Sequence, residues 1–412
     1  MKKNLKHDIE LFNLINKEKR RQEENIELIA SENYVSSNIM YAQGSQLTNK
    51  YAEGYPNHRY YGGCKYIDKI EKLAIKRAKK LFNADYANVQ PHSGSQANSA
   101  VYLALLKPGD IIMGLKNSHG GHLTHGSLVN FSGKIYKNIP YKINKKGIID
   151  YDYLLYLAKK YKPKIIIGGF SSYSRICNWK KIRSIADIVG SYFLVDISHI
   201  AGLIISKLYP DPLSYAHVVT STTHKTLAGP RGGIILSTKK NKNLFKKFDK
   251  AVFPGIQGGP LMHIIAAKAV AFKEASKPNF IIYQKQILKN SKLMVKIFKK
   301  YKYNIVSNNT DNHLFIIDLT NKKITGIEAE KLLEKYNIIV NKNSIPDDIN
   351  PPNITSGIRI GTPAITKRGF KEKEVFLLSK HIINIINNKN IYIKNIKDSI
   401  IKLCKLFPVY KK

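Results

Sequence analysis

The chain has 412 residues, 43% of them hydrophobic, with 68 Lys and Arg against 29 Asp and Glu and a net charge of +39. That length exceeds one simple core and predicts two units. No apolar run is long enough to span a bilayer and residues 1–8 lack the apolar core of a secretion signal, so a cytoplasmic protein away from membranes is expected.

The excess lysine accompanies Asn, Ile and Tyr, as in Lys239-Lys240-Asn241-Lys242-Asn243. This is the pattern of an AT-rich coding sequence. The charge is therefore read as solvated lysine, with no specific nucleic-acid partner, although any basic surface attracts phosphate. Cys64, Cys177 and Cys404 lie far apart, with neither disulfide nor metal-ligand spacing, which suits a reducing compartment and predicts no metal.

In chain order, residues 6–29 place apolar positions at helical spacing among many charges and predict an exposed amphipathic helix or a subunit-facing arm. The segment Tyr51-Ala52-Glu53-Gly54-Tyr55-Pro56-Asn57-His58-Arg59-Tyr60-Tyr61-Gly62-Gly63 sets one carboxylate among tyrosines, with too many Gly/Pro breaks for a helix. Glu53 can exchange a substrate proton, with a raised pKa if buried among aromatics. Alternatively the loop is interface packing, and both readings hold if a site lies between subunits.

From residue 71 onward, helical patterns alternate with short β-branched runs at 111–115, 165–169, 193–196, 218–221 and 233–236, with helices expected at 151–161 and 179–190. Such alternation predicts a mainly parallel sheet covered on both faces, with ligands beyond the carboxyl ends of its strands. Ser93-Gly94-Ser95-Gln96-Ala97-Asn98 precedes a helix expected over 99–106. Its hydroxyls and free N–H groups make either a phosphate cradle or a plain serine N-cap.

His119-Gly120-Gly121-His122-Leu123-Thr124-His125-Gly126 gathers three histidines in a flexible loop. Zinc is one reading, but no Cys or carboxylate lies close in sequence; stacking of an imidazole on a flat ring is the other. Asp196 ends the run 193–196, with His199 three residues on. It can keep a pyridine nitrogen protonated, ligate magnesium or cap a helix.

Then comes Thr220-Ser221-Thr222-Thr223-His224-Lys225-Thr226-Leu227-Ala228-Gly229-Pro230-Arg231-Gly232-Gly233. It presents one lysine after an apolar run, among hydroxyls, an imidazole and Arg231. Burial and nearby positive charge lower a lysine pKa, and the neutral amine forms Schiff bases with carbonyl compounds, pyridoxal phosphate among them. Beyond it, residues 261–300 read as a long helical stretch, 313–319 as strand, 326–336 as helix, and short strands end near 359–361. Arg359, in Ser356-Gly357-Ile358-Arg359-Ile360-Gly361-Thr362-Pro363, has a planar fork suited to a substrate carboxylate, or to a structural salt bridge. The expected division is an arm over 1–50, a large domain over 51–275 and a small α+β domain over 276–412.

In this order, these segments closely resemble serine hydroxymethyltransferases, pyridoxal-phosphate enzymes of the aspartate-aminotransferase fold (fold type I). The match runs from Leu28-Ile29-Ala30-Ser31-Glu32-Asn33 to Arg368-Gly369-Phe370 and includes Val89-Gln90-Pro91-His92-Ser93-Gly94-Ser95 and Gln257-Gly258-Gly259-Pro260. The resemblance implies reversible transfer of serine's hydroxymethyl carbon to tetrahydrofolate, giving glycine and 5,10-methylenetetrahydrofolate, in a homodimer with shared sites.

By that resemblance Lys225 holds the cofactor, Asp196 faces the pyridinium nitrogen and His122 stacks on the ring. Ser171 and His199 approach the ring's phenolic oxygen and Ser31 belongs to the cofactor set. Ser93, Gly94 and Ser95 hold the phosphate, with Gly259 and Tyr51 supplied by the partner subunit. Arg359 binds the substrate carboxylate, Glu53 handles protons, Tyr61 and His224 shape the pocket, and Tyr60 lies against folate. The folate set is completed by Asn117, Gly121, Leu123, Asn343, Pro351, Pro352 and Asn353. The tyrosine segment and the Gly121-His122-Leu123 loop set the chain apart from threonine aldolases, which share the lysine chemistry without folate. Departures from the family pattern fall on Asn117 (usually leucine), on Pro351-Pro352-Asn353 (often Ser-Pro-Phe) and on Ser198 (usually alanine).

Overall fold

A computed structural model describes residues 8–389 and 391–410. Seven strands form the main sheet in the order Tyr86–Asn88, Gly233–Ser237, Val218–Thr222, Tyr192–Asp196, Ile165–Gly169, Ile111–Met113, Lys137–Asn138. Gly233–Ser237 runs antiparallel to both neighbours, and the pairings from Val218–Thr222 to Lys137–Asn138 are parallel. The expected mainly parallel α/β sheet is present. Successive side chains enter opposite cores: Ile166, Val195, Val219 and Ile234 pack in one, while Ile165, Ile167, Leu194, Val218 and Ile235 pack in the other. This two-residue alternation between two dry faces explains why the strands read as unbroken apolar runs.

Register positions the site. Gly169 lies opposite Asp196, and Asp196 opposite Thr220, so three parallel strands end side by side. The chain segments that follow them, carrying Ser171, His199 and Lys225, emerge at one sheet edge.

Several element ends differ from expectation for identifiable reasons. The helix expected over 99–106 is Gly94–Leu105, because the Ser93 hydroxyl accepts the Gln96 N–H and starts the helix despite the glycine. The first helix is Ile9–Glu24; positions 6 and 7 of the expected segment lie outside the described residues. Beyond it Ile26 and Glu27 pair in parallel with Ile338 and Ile339. The stretch 261–300 is two helices, Met262–Ala275 and Pro278–Lys300, since Pro278 cannot continue a helix but suits a first turn. The helix expected over 326–336 is Gly326–Glu334, opened by a capping box of Thr325 and Glu328.

A second, antiparallel sheet has the order Asn304–Ile305, Leu314–Asp318, Gly357–Gly361, Asn341–Asn343. Phe298, Phe315, Ile358, Ile360 and Ile382 fill its core, together with Ile26 and Leu28 from the N-terminal segment. The helix Pro278–Lys300 serves both cores, with Phe280 in the first and Met294 in the second. We propose that the division near residue 276 holds, on the support of these separate cores, whereas part of the 1–50 arm packs into the second core through Ile26 and Leu28.

Arg368 ties the ends of the chain to this second body. It is 2% exposed, and its guanidinium donates to the carbonyls of Glu23, Asn25, Cys404 and Phe407 at 3.0, 2.6, 2.9 and 2.7 Å. These carbonyls lie at the C-terminal ends of two helices, where backbone partners run out and positive charge is favoured. Arg368→Met should cost about 3–5 kcal/mol by leaving buried carbonyls unpaired. Urea unfolding monitored by circular dichroism measures it; a loss below about 1 kcal/mol would contradict this role.

Candidate active site

Lys225 sits in the turn after Val218–Thr222. Thr223 shapes that turn: its N–H donates to Gly232 O at 3.1 Å, its hydroxyl to Pro230 O at 2.5 Å, and its carbonyl accepts from Gly229 at 2.7 Å. Ala228 adopts a left-handed conformation, φ 56°, to close it. Lys225 is buried, and its pKa is pushed down to about 8. Burial is the main cause; Arg359 and Arg231 add to it, and Asp196 opposes it. The lysine expected from sequence to be desolvated is so placed.

A cavity of about 300 Å³ opens around it, lined by Ser31, Ser93, Gly94, Ser95, His122, Ser171, Asp196, His199, His224 and Lys225, together with Glu32, Phe170, Ser198, Thr222 and Arg231. Residues far apart in sequence thus meet in one space. Ser93–Ser95 contribute a helix N-terminus, where backbone N–H groups lack helical partners and attract anions. There is no room for a side chain at Gly94, because an added Cβ would lie 2.6 Å from Thr222 Cγ2.

Asp196 is the electrostatic centre. Its Oδ2 accepts from Asn98 Nδ2 at 2.9 Å and pairs with His125 Nε2 at 3.2 Å; its Oδ1 accepts from Ser198 N at 3.0 Å and Ser198 Oγ at 2.5 Å. Burial, the largest influence, opposes ionisation, yet His125, His122 and Ser198 hold the carboxyl well below the usual carboxylate range. His122 is pushed down to about 4 by burial and the neighbouring His125, and His224 to about 3 by burial, Lys225 and Arg231. His199 is driven well below its ordinary value, chiefly by burial, and its Nδ1 meets His313 Nε2 at 3.2 Å in a stacked pair. The cavity therefore combines neutral imidazoles, one fixed anion and a lysine near neutrality.

The histidine loop divides. The three histidines split: His119 turns away, its Nε2 lying 3.5 Å from Asp347, whereas His122 and His125 converge on Asp196 with ligand atoms within 4.8 Å of one another. The carboxylate missing from the local sequence is supplied by a strand end 71 residues away. Both Asp196 oxygens already face N–H or O–H donors, the arrangement of a carboxylate held ready for a cationic N–H.

Arg359 reaches in from the second sheet. Its Nη1 donates to Ser171 O at 2.8 Å and its Nε to Asn341 Oδ1 at 3.1 Å, and burial pushes it down to about 10. Neutral oxygens hold it in place, so the salt-bridge alternative is not what these bonds describe.

Tyr51, Glu53, Tyr60, Tyr61 and Gly259 are absent from the cavity lining and gather elsewhere in the chain. Tyr51 Oη donates to Glu53 Oε1 at 3.1 Å, Tyr51 and Tyr61 make an edge contact, and a Cβ at Gly259 would lie 3.1 Å from the Tyr51 ring. Glu53 is half-buried beside one phenol, so the condition of burial among aromatics is not met within one chain, and Tyr51 and Tyr60 are 54% and 74% exposed. Of the expected folate set, Asn117, Leu123, Pro351, Pro352 and Asn353 are exposed, Gly121 is buried against Leu115 O, and Asn343 pairs with Gly357 at the sheet edge. Sequence reasoning gave no role to Asn98, Thr222 or His313. Asn98 had one usable signal, its place one turn into the cradle helix.

A lysine and an ionised aspartate at the carboxyl edge of such a sheet, beside an anion-attracting helix end, define a fold-type-I pyridoxal-phosphate enzyme. The residues present fit that group: the buried Thr222 Oγ1 and His224 Nδ1 have no partner among the described residues and line the cavity. The profile of the family described as Serine hydroxymethyltransferase matches residues 5–382. Proteins named serine hydroxymethyltransferase from Buchnera aphidicola subsp. Schizaphis graminum, Wigglesworthia glossinidia brevipalpis and Buchnera aphidicola subsp. Cinara cedri are 66%, 63% and 61% identical to the chain. These alignments cover 98%, 98% and 99% of it and 98%, 97% and 99% of the relatives. The chain belongs to the serine hydroxymethyltransferase family.

We propose that the free amine of Lys225 is the nucleophile; the rate at which the cofactor-free protein condenses with pyridoxal phosphate should then rise with pH through a midpoint of about 8, well below the 10.5 of an ordinary lysine. Asp196 is the charge that raises this midpoint, so Asp196→Asn should move it lower. Stopped-flow absorbance across pH 6–10 (roughly the range bracketing these values) measures both; an upward shift in the Asn variant contradicts the assignment.

Proposed function

We propose that the chain performs its family's reaction, reversible transfer of the hydroxymethyl carbon of L-serine to tetrahydrofolate to give glycine and 5,10-methylenetetrahydrofolate. The convergence of Lys225, Asp196 and the Ser93–Ser95 helix end around one cavity, with Arg359 bonded to Ser171 of its lining, carries this reading. Bound pyridoxal phosphate supplies an electron sink for Cα–Cβ cleavage.

The chain's own groups do the rest. Lys225 would hold the cofactor, and Asp196 would keep a proton on the ring nitrogen. Ser93, Gly94 and Ser95 would take the phosphate; His122, Ser171, His199 and Ser31 would fix the ring's edges and face. Arg359 has donors beyond those given to Ser171 and Asn341, and these would bind the serine carboxylate bidentately. His224, neutral and with a buried Nδ1 that has no partner among the described residues, would shape the pocket. Ser198 replaces the family's usual alanine without disturbance, because its hydroxyl donates to Asp196 and accepts Thr222 N–H at 2.9 Å.

The second substrate would lie on the exposed faces of Asn117, Leu123 and the loop Pro351-Pro352-Asn353, with Asn343 beside them and the buried Gly121 shaping the loop beneath. Glu53, Tyr51, Tyr60, Tyr61 and Gly259 would complete the site of a second subunit in a homodimer. Supporting this, they lie outside their own chain's cavity, on an exposed aromatic patch. In that arrangement Glu53 moves protons during cleavage and folate attack. Among the described residues no helix is long and apolar enough to cross a membrane, and the three cysteines are buried and unpaired, which supports a cytoplasmic setting.

Purified protein should be yellow and cleave serine rapidly only with tetrahydrofolate. Colourless protein that cannot be reconstituted with pyridoxal phosphate, or folate-dependent turnover surviving in Lys225→Ala, would overturn the reading. Random mixing of Lys225→Ala and Glu53→Gln chains should restore about a quarter of wild-type activity, because half the dimers are hybrids with one intact site each. No recovery above the separate variants would show that the sites are not shared.

A further inference from the structure

Lys268 is the second buried lysine among the described residues, and it has no place in the mechanism above. It lies on the helix Met262–Ala275, is 1% exposed and lines no part of the cavity. Its Nζ donates to three backbone carbonyls, Val89 at 2.7 Å, Pro91 at 3.0 Å and Gly233 at 2.8 Å. Three acceptors match the three hydrogens of an ammonium. A buried charge costs several kcal/mol and an apolar side chain of that length would fill the space more cheaply, so the carbonyls are what the lysine is there to hold. Burial pushes it down to about 7, with the charge of Glu71 opposing.

The three carbonyls belong to the two segments that frame the phosphate cradle. Val89 and Pro91 lead directly into Ser93-Gly94-Ser95, and Gly233 opens the strand that follows the Lys225 turn. The segments also meet directly: Gly233 N donates to Pro91 O at 2.9 Å, and Gly233 passes so close to the cradle that an added Cβ would lie 2.2 Å from Ser93 O. Gly232, whose carbonyl accepts the Thr223 N–H, leaves the lysine its space, since a Cβ there would lie 2.4 Å from Lys268 Cε. From the other side Gln257 accepts His92 N–H at 3.0 Å and donates to Gln90 O at 3.1 Å.

We propose that Lys268 is a positioning residue for cofactor phosphate: its ammonium staples the strand-to-helix loop 89–92 to the start of Gly233–Ser237 and so sets where the Ser93–Ser95 helix end points. This rests on the reading of the cavity as a pyridoxal-phosphate site. On that reading the cradle would take the phosphate, so the staple would bear on phosphate affinity and leave binding through the aldehyde alone.

Cofactor-free wild type, Lys268→Met and Lys268→Gln are compared, with folding checked by circular dichroism. Equilibrium dialysis then gives the dissociation constants of pyridoxal phosphate and of pyridoxal, which lacks the phosphate. Lys268→Met should weaken pyridoxal phosphate roughly ten- to hundredfold, the scale of a lost charge-assisted hydrogen-bond set. Pyridoxal binding should stay within about twofold, a few tenths of a kcal/mol. Lys268→Gln, which keeps two donors, should fall between. Equal weakening of both ligands, an unchanged preference for the phosphate, or failure of both variants to fold would overturn the proposal and leave Lys268 a residue of general stability. Wild type that binds neither ligand would instead overturn the pyridoxal-phosphate reading.

Discussion

A carboxylate kept charged where water is scarce is the constraint around which the site is arranged. Moving an ion out of water costs several kcal/mol unless its oxygens are occupied by donors. Asp196 receives its donors from separate parts of the chain: Asn98 from the cradle helix, His125 from the histidine loop and Ser198 from its own turn. Asn98 is itself fixed by Thr220 Oγ1 at 2.6 Å, on the strand leading to Lys225. Satisfying one anion therefore fixes a helix, a loop and two strands relative to each other. The same anion partly offsets the burial and the arginines that lower Lys225. A lysine that must alternate between nucleophile and leaving group works best with its pKa near ambient pH, and opposed charges hold it there.

Lys225 and Lys268 show that burial alone does not make a lysine reactive. Both are depressed by burial to nearly the same value, about 8 and about 7. Lys268 has three carbonyl acceptors, is 1% exposed and does not line the cavity. Lys225 faces a cavity with an anion across it. The difference is what surrounds the nitrogen: acceptors make an ammonium into a bracket, and open space makes an amine into a nucleophile.

This difference also sets what could be read from sequence. Residues 165–169 and 218–222 announce buried parallel strands because neither face meets water, and the hydroxyl-rich turn around Lys225 is local chemistry written contiguously. The link between His125 and Asp196 spans 71 residues and depends on strand register, which no short window contains. The cradle helix starts five residues before the position its composition predicts, because a capping hydroxyl overrides the poor helix propensity of Gly94. Lys268 was invisible among 68 basic residues, since its meaning lies in three carbonyls that carry no sequence signature.

The tyrosine segment lies between these cases. Its composition signalled function, but its placement within one chain resolves into a half-exposed carboxylate beside exposed rings. An exposed aromatic cluster with a carboxylate at its centre is unfavourable as a free surface and well suited to being covered. The cavity, by contrast, holds cations, one committed anion and neutral imidazoles, but no carboxylate free to move a proton except Glu32 at its rim. In the proposed dimer each half would add to what the other carries. Shared sites of this kind would make catalysis conditional on assembly, because Glu53 would reach the cavity only with the surface that covers it.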